Sequence, residues 1–270
     1  MEKTTECKDG LNFLSGSIRR AHLGSWLPFL LILSLVSFCW STPTHAKWFS
    51  IGPYGGDIRS LAIDPVNTET IYVGTEYNGV FKSTDGGASW SQVYSGQPTN
   101  FISSLAIDPV NTQTVYAGTF FDGIFKSTNG GASWSQINSG LTDTYIRTLA
   151  IDPANTTTIY AGTGSGAFKS TNGGTTWSEI NSGLPMYFSI ISLALDPANT
   201  QTIYAGSGGK GVFKSTDGGA NWSQVSSGLP QYSYVASLVL DPVSAQTIYA
   251  ALPIDGIFKS TDGGINWSQV

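Results

Sequence analysis

The sequence predicts an all-β fold: a β-propeller of five four-stranded blades, forming an incomplete or open ring. Three observations lead there. The octapeptide Ser83-Thr84-Asp85-Gly86-Gly87-Ala88-Ser89-Trp90 returns four times, ending at Trp134, Trp177, Trp222 and Trp267. These tryptophans stand 44, 43, 45 and 45 residues apart, the length of one propeller blade. Between them, short β-branched and aromatic runs alternate with Gly, Pro, Asn and Asp, and no stretch has helical periodicity. Residues that recur in every copy are explained by building each blade. Ligand chemistry is therefore expected in what differs between copies.

Residues 1–46 stand outside the array. Arg19 and Arg20 precede an apolar run from Trp26 to Trp40, too short for a membrane-spanning helix of about 20 residues. The run is followed by Thr44-His45-Ala46, a small-x-small site. This pattern predicts a secretory signal peptide cut after Ala46 and a product that is periplasmic or extracellular, with no membrane insertion after cleavage. An uncleaved signal anchor is the alternative. Both cysteines, Cys7 and Cys39, and both histidines, His22 and His45, lie in this leader. Residues 47–270 therefore hold no disulfide and no zinc-type metal centre, and no cofactor is expected. They carry 9 Lys and Arg against 15 Asp and Glu. This acidic balance, with only Arg59 and Arg147 as arginines, argues against nucleic acid and anionic membranes.

Within 47–270 the blades are expected at about 58–93, 102–137, 146–180, 190–225 and 235–270. The first strand, such as Ile58-Arg59-Ser60-Leu61-Ala62-Ile63, runs into Asp64-Pro65, and proline stops a sheet ladder. Asn67 and Thr68 complete the turn. Thr70–Gly74 is the second strand and Gly79–Ser83 the third. The Asp-Gly-Gly or Asn-Gly-Gly tip then forms a hairpin through glycines at positive φ. The fourth strand is Ser89–Val93. In addition, Trp48-Phe49-Ser50-Ile51 resembles an orphan outer strand.

The pattern Ser-x-Asp-x-Gly-x-x-Trp resembles the Asp-box, or BNR repeat, of sialidases, sortilin-type receptors, two-lobed xyloglucanases and the photosystem II assembly factor family. The resemblance covers about residues 48–270. It implies the propeller fold but leaves function open, because those relatives differ in what they do. Asp85, Asn129, Asn172, Asp217 and Asp262 are read as turn residues: Asn can accept the same hydrogen bonds but cannot serve as a general acid. Trp90, Trp134, Trp177, Trp222 and Trp267 are read as apolar anchors. Lys82, Lys126, Lys169, Lys214 and Lys259 are read as a solvated flank of the third strands rather than an anion site.

In a propeller the Asp-Pro turns and the Asp-boxes share one face. The second-to-third loops and the blade-to-blade links share the other. The variable face carries Tyr54, Asp57, Tyr77, Phe101, Phe120, Phe121, Asp122, Tyr145, Tyr187, Tyr232 and Tyr234 as ligand-binding candidates. Such rings suit the flat faces of sugars or a protein partner, or else close the top of the core.

A sialidase resemblance implies three arginines on a carboxylate substrate, and two cannot supply them. A xyloglucanase-type glycosidase needs two carboxyls about 5–9.5 Å apart. Asp57 is the one catalytic candidate, and Asp122, Asp143, Asp255, Glu69, Glu76 and Glu179 give it no obvious partner by spacing. The sequence is read as a secreted non-catalytic propeller that binds a glycan or a protein. Its alternatives are a glycoside hydrolase and an assembly factor for a membrane protein complex. The fifth unit ends on a fourth strand while the chain begins with an orphan one. An arc of five blades with two uncovered apolar flanks is expected, against a tight five-bladed ring as the competing idea.

Overall fold

The computed structural model describes residues 52–53, 56–93 and 101–270. The leader at 1–46, the orphan strand at 48–51 and Tyr54 lie outside the described residues.

The strands fall into five blades. Blade 1 contains β1 (Ile58–Ile63), β2 (Ile71–Thr75), β3 (Val80–Ser83) and β4 (Ser91–Gln92), and blade 2 contains β5 (Ile102–Ile107), β6 (Val115–Thr119), β7 (Ile124–Ser127) and β8 (Ser135–Gln136). Blade 3 contains β9 (Ile146–Ile151), β10 (Ile159–Thr163), β11 (Ala167–Ser170) and β12 (Ser178–Glu179). Blade 4 contains β13 (Ile190–Leu195), β14 (Ile203–Ser207), β15 (Val212–Ser215) and β16 (Ser223–Gln224). Blade 5 contains β17 (Ser237–Leu240), β18 (Ile248–Leu252), β19 (Gly256–Ser260) and β20 (Ser268–Gln269). Each blade is a four-stranded antiparallel meander in chain order. No helix occurs among the described residues.

Local chemistry sets the strand ends. Asp64 Oδ1 accepts the N–H groups of Val66 (2.9 Å) and Asn67 (3.1 Å), closing the turn that Pro65 opens. The same pair of bonds recurs at Asp108, Asp152, Asp196 and Asp241. The Asp-box glycine then donates to this turn, as in Gly130 N–H to Gln113 O at 2.8 Å. The two regular turns of each blade are thereby tied together on one face. On the opposite face the second-to-third loops bond the links, as in Phe120 N–H to Phe101 O at 3.1 Å.

The core lies between blades. Tyr72 and Val80 of blade 1 pack with Ile102, Leu105, Val115 and Trp134 of blade 2, and equivalent clusters fill the next three interfaces. Second strands such as β6 and β10 are buried on both faces because a blade covers each side. Trp177, Trp222 and Trp267 each donate Nε1–H to the carbonyl that follows the previous blade's outer strand, at Ile137, Ile180 and Val225.

The repeated lysines depart from the solvated reading. Lys82 sits opposite Tyr72 in the β2–β3 register, so both side chains leave the same flank. Tyr72 Oη–H and Lys82 Nζ–H both reach Gly130 O, each at 2.9 Å. Gly130 belongs to the next blade's Asp-box. The arrangement repeats onto Gly173, Gly218 and Gly263. A backbone carbonyl pointing at the neighbouring blade needs donors, and only a side chain long enough to cross the interface can supply a charged one. Burial holds the Lys82 and Lys126 ammonium groups below their ordinary value and pushes the Tyr72, Tyr116 and Tyr160 hydroxyls up to about 12.

The ring is open. Innermost strands pack in series, β1 on β5, β5 on β9, β9 on β13 and β13 on β17, and β17 has no comparable packing on β1. Leu61 is 57% exposed, whereas its counterparts Leu105 and Leu149 are both 8% exposed.

Candidate functional site

The Asp-box is a self-contained turn. Ser83 Oγ–H donates to Asp85 Oδ1 at 2.8 Å, and Asp85 accepts from Ser89 N–H and Ser89 Oγ–H. Asn129 fills the same role: its Oδ1 accepts from Ser127 and Ser133, and its Nδ2–H donates to Ser133 Oγ. Asn172 makes the equivalent bonds with Ser170 and Thr176, and Asp217 and Asp262 with Asn221 and Asn266. Hydrogen bonds from the Ser89 and Asn221 side chains, and from the Asn266 backbone, hold Asp85, Asp217 and Asp262 down to about 2. A folded-state value below the ordinary 3.8 means the stabilisation is complete above about pH 4 and is lost as pH falls towards 2. The triple variant Asp85→Asn, Asp217→Asn, Asp262→Asn is therefore expected to lose part of its acid dependence between pH 4 and 2. Melting temperatures across that window check this; curves parallel to the wild type would contradict it. Among the described residues, no group of three or more His, Cys, Asp and Glu is placed to hold a metal ion.

Chemistry that differs between blades collects at the axis of the variable face. Four innermost strands carry a β-bulge after their first residue, where the register shifts between Ile58 and Ser60, Ile102 and Ser104, Ile146 and Thr148, and Ile190 and Ser192. The unpaired residues are Arg59, Ser103, Arg147 and Ile191. A bulge re-aims its extra side chain out of the ladder. All four line one pocket of about 260 Å³, together with Phe101, Phe120 and Tyr234, so every blade or its link contributes.

Three of the aromatic candidates form a stack, of which Phe101 and Phe120 line this pocket. Phe101 lies on Phe120 at 4.0 Å and 13°, and Phe120 on Tyr145 at 4.6 Å and 21°. The Arg59 guanidinium lies 5.0 Å from the Phe101 centroid, and that of Arg147 lies 4.7 Å from Tyr145 and 5.4 Å from Phe120. The ring faces expected to meet a sugar thus meet each other and two cations instead. Cation–π and stacking contacts keep the rings in place. Phe121 packs edge-on against Phe120 and Tyr145 and remains 64% exposed.

The two arginines differ in charge environment. Arg59 Nε–H donates to Glu76 Oε2 at 2.9 Å, and Asp57 lies 4.0 Å from its guanidinium. Hydrogen bonds from Tyr77 and Arg59 hold the Glu76 carboxyl below the usual range. Arg147 pairs with no carboxylate among the described residues, and its buried Nε–H has no hydrogen-bond partner. Asp143, four positions before Arg147 in the chain, accepts from Ser165 Oγ–H and the Tyr145 N–H.

The remaining candidates lie outside the axial pocket. Tyr187 and Tyr232 occupy equivalent link positions at φ 54° and 62° and are 88% and 72% exposed. Left-handed backbone is strained for a bulky residue. Each borders a separate pocket of about 370 Å³. Tyr77 is exposed beside Glu76. Asp122 borders none of these pockets, and its carbonyl accepts from Gln136 and Asn138. Nothing in the sequence pattern of Arg59 and Arg147 marks them as binding residues. Their equivalent positions in the first strand were visible, but the bulge that turns them to the axis was not.

Fold, Asp-boxes and the blade-crossing tryptophans define an Asp-box β-propeller. The family model described as "Sortilin, neurotensin receptor 3" matches residues 78–183 and 122–241, together more than half of the chain, and the BNR/Asp-box repeat model matches 258–269. The chain belongs to the sortilin-Vps10 family of Asp-box propellers. No curated protein matches it in sequence. Among solved structures it is similar to the Niastella koreensis GH74 enzyme, with TM-score 0.67 and 24% identity over 78% of this chain and 38% of that one. It is also similar to the extracellular domain of a one-component system from B. thetaiotaomicron (TM-score 0.65, 17% identity, 82% and 29% covered). YCF48 bound to D1 peptide is a third such structure (TM-score 0.57, 18% identity, 79% and 66% covered). The chain spans little more than a third of the GH74 enzyme's length.

Proposed function

We propose that this is an exported, non-catalytic propeller that binds a glycan or a protein on its variable face, with the axial pocket as the seat of the ligand. One observation carries the reading. The four bulged residues, which are the least alike of the inner-strand positions, converge on a single pocket whose lining contains two arginines and no carboxylate. A guanidinium without a counter-ion, beside the edges of an aromatic stack, is suited to holding an acceptor group rather than cleaving a bond. The leader supports export, and a similar propeller serves as an extracellular domain.

The hydrolase reading keeps one specific support, since the Arg59 guanidinium contacts both Glu76 and Asp57, a shared partner that spacing did not reveal. Against it, a general acid needs a raised carboxyl value, and Glu76 is held low. A glycan array run beside a screen of chromogenic glycosides separates the two. The expected result is retention without turnover, weakened about tenfold or more in Arg147→Ala and unchanged in Asp57→Asn. Turnover abolished by Asp57→Asn would replace the binding module with an enzyme.

A further inference from the structure

The links into blades 4 and 5 are longer than the link into blade 3. Nine positions separate Asn181 from Ile190 and Ser226 from Val235, against eight from Asn138 to Ile146. Both longer links read Ser-Gly-Leu-Pro-x-Tyr, at Ser182–Tyr187 and Ser227–Tyr232. In the shorter link Tyr145 joins the aromatic stack. In the longer ones Tyr187 and Tyr232 stand in left-handed backbone with their rings in solvent. A glycine would take that backbone without strain, and an exposed ring returns nothing through core packing.

Each ring forms one wall of a pocket of about 370 Å³, and the two pockets correspond position for position, 45 residues apart. Leu184, Pro185 and Tyr187 make the apolar side of the first, and Leu229, Pro230 and Tyr232 that of the second. The lining of both runs from Ser165 to Tyr232, inside the array, with four-stranded blades before and after it.

The polar rims of the two pockets are opposite in charge. In the first, exposed Glu179 stands beside Asn181, whose Nδ2–H donates to Glu179 Oε1 at 2.5 Å. In the second, Gln224 and Ser226 take those positions, and exposed Lys210 brings an ammonium from the second-to-third loop. A ligand with a fixed charge would suit one pocket and be repelled at the other. A hydroxyl donates to a carboxylate and accepts from an ammonium, so it serves both. A flat apolar side edged with hydroxyls describes a neutral sugar ring, and the volume suits about one or two such rings.

We propose that these two rim pockets bind neutral sugar units, with Tyr187 and Tyr232 as stacking platforms and Glu179 and Lys210 as hydroxyl partners. The proposal rests on the variable face as the binding face, but not on the axial pocket. A polysaccharide offers units to both sites at once. The test is affinity electrophoresis of the full chain in gels containing a β-glucan, a galactomannan or dextran, with polygalacturonate as the charged comparison. At least one neutral polysaccharide is expected to retard the protein, and the double variant Tyr187→Ala, Tyr232→Ala to weaken retention about tenfold or more. The double variant Tyr187→Gly, Tyr232→Gly is expected to bind as weakly yet melt no lower than the wild type, because glycine relaxes the left-handed backbone. Joint loss of retention and melting temperature would assign the tyrosines to the fold and overturn the proposal. So would retention by no neutral polysaccharide, retention unchanged in the tyrosine variants, or a preference for polygalacturonate. A loss confined to Arg147→Ala would overturn it and leave the axial reading standing. A loss confined to the tyrosine variants would do the reverse.

Discussion

Trp134→Ala is expected to lower the unfolding free energy by about 3–5 kcal/mol, the range for deleting a buried large aromatic. Trp134 is 7% exposed and packs with Tyr72, Val80 and Ile102, so its removal opens the interface between blades 1 and 2. It also removes the Nε1–H bond to Gly131 O. Tyr77→Ala is the control. That ring is 72% exposed, on a loop whose sequence differs in every blade, and its loss is expected to cost under about 0.5 kcal/mol. Denaturant melts give both values. Equal losses would overturn the division into a regular structural face and a variable one.

The second large effect concerns a close approach in the links. Gly183 has φ +86°, and a Cβ there would lie 2.1 Å from Trp222 O. The neighbouring Ser182 O accepts the Trp222 N–H at 2.9 Å, so the link and the next Asp-box are held backbone to backbone. Gly183→Ala must both strain the left-handed backbone and push the two chains apart. Each contributes about 1–2 kcal/mol, and together the loss is expected to be about 3 kcal/mol. Gly86→Ala separates the two effects. Gly86 has φ +67° and open space around it, so only the backbone cost of about 1–2 kcal/mol is expected. A Gly183→Ala protein as stable as Gly86→Ala would show that the close approach can relax.

Much of the fold was legible because a blade is a local object. Its strands are consecutive, and its turns are set by residues two to four positions apart, such as Ser83, Asp85 and Ser89. The Trp spacing then gives the length of each blade directly. Tyr187 and Tyr232 were readable as variable-face residues for the same reason, since they sit in the links that change between copies. Their left-handed backbone was not, because no nearby residue pattern demands it.

The sequence by itself determined the repeat, the strand order, the two kinds of turn and the neutral role that lets Asn129 and Asn172 stand where Asp85 stands. The tertiary structure decided three things that depend on partners well separated in the chain. It turned Arg59 and Arg147 to the axis through a register shift against the second strand. It stacked Phe101, Phe120 and Tyr145 on one another, using up the ring faces expected to meet a ligand. It also sent the lysines across to the next blade, since a long cationic side chain beside an unpaired carbonyl lowers its energy more by bonding it than by pointing into water. Hydrogen bonds within a turn follow from neighbouring residues in the chain. Contacts between blades follow only from the packing that brings distant residues together.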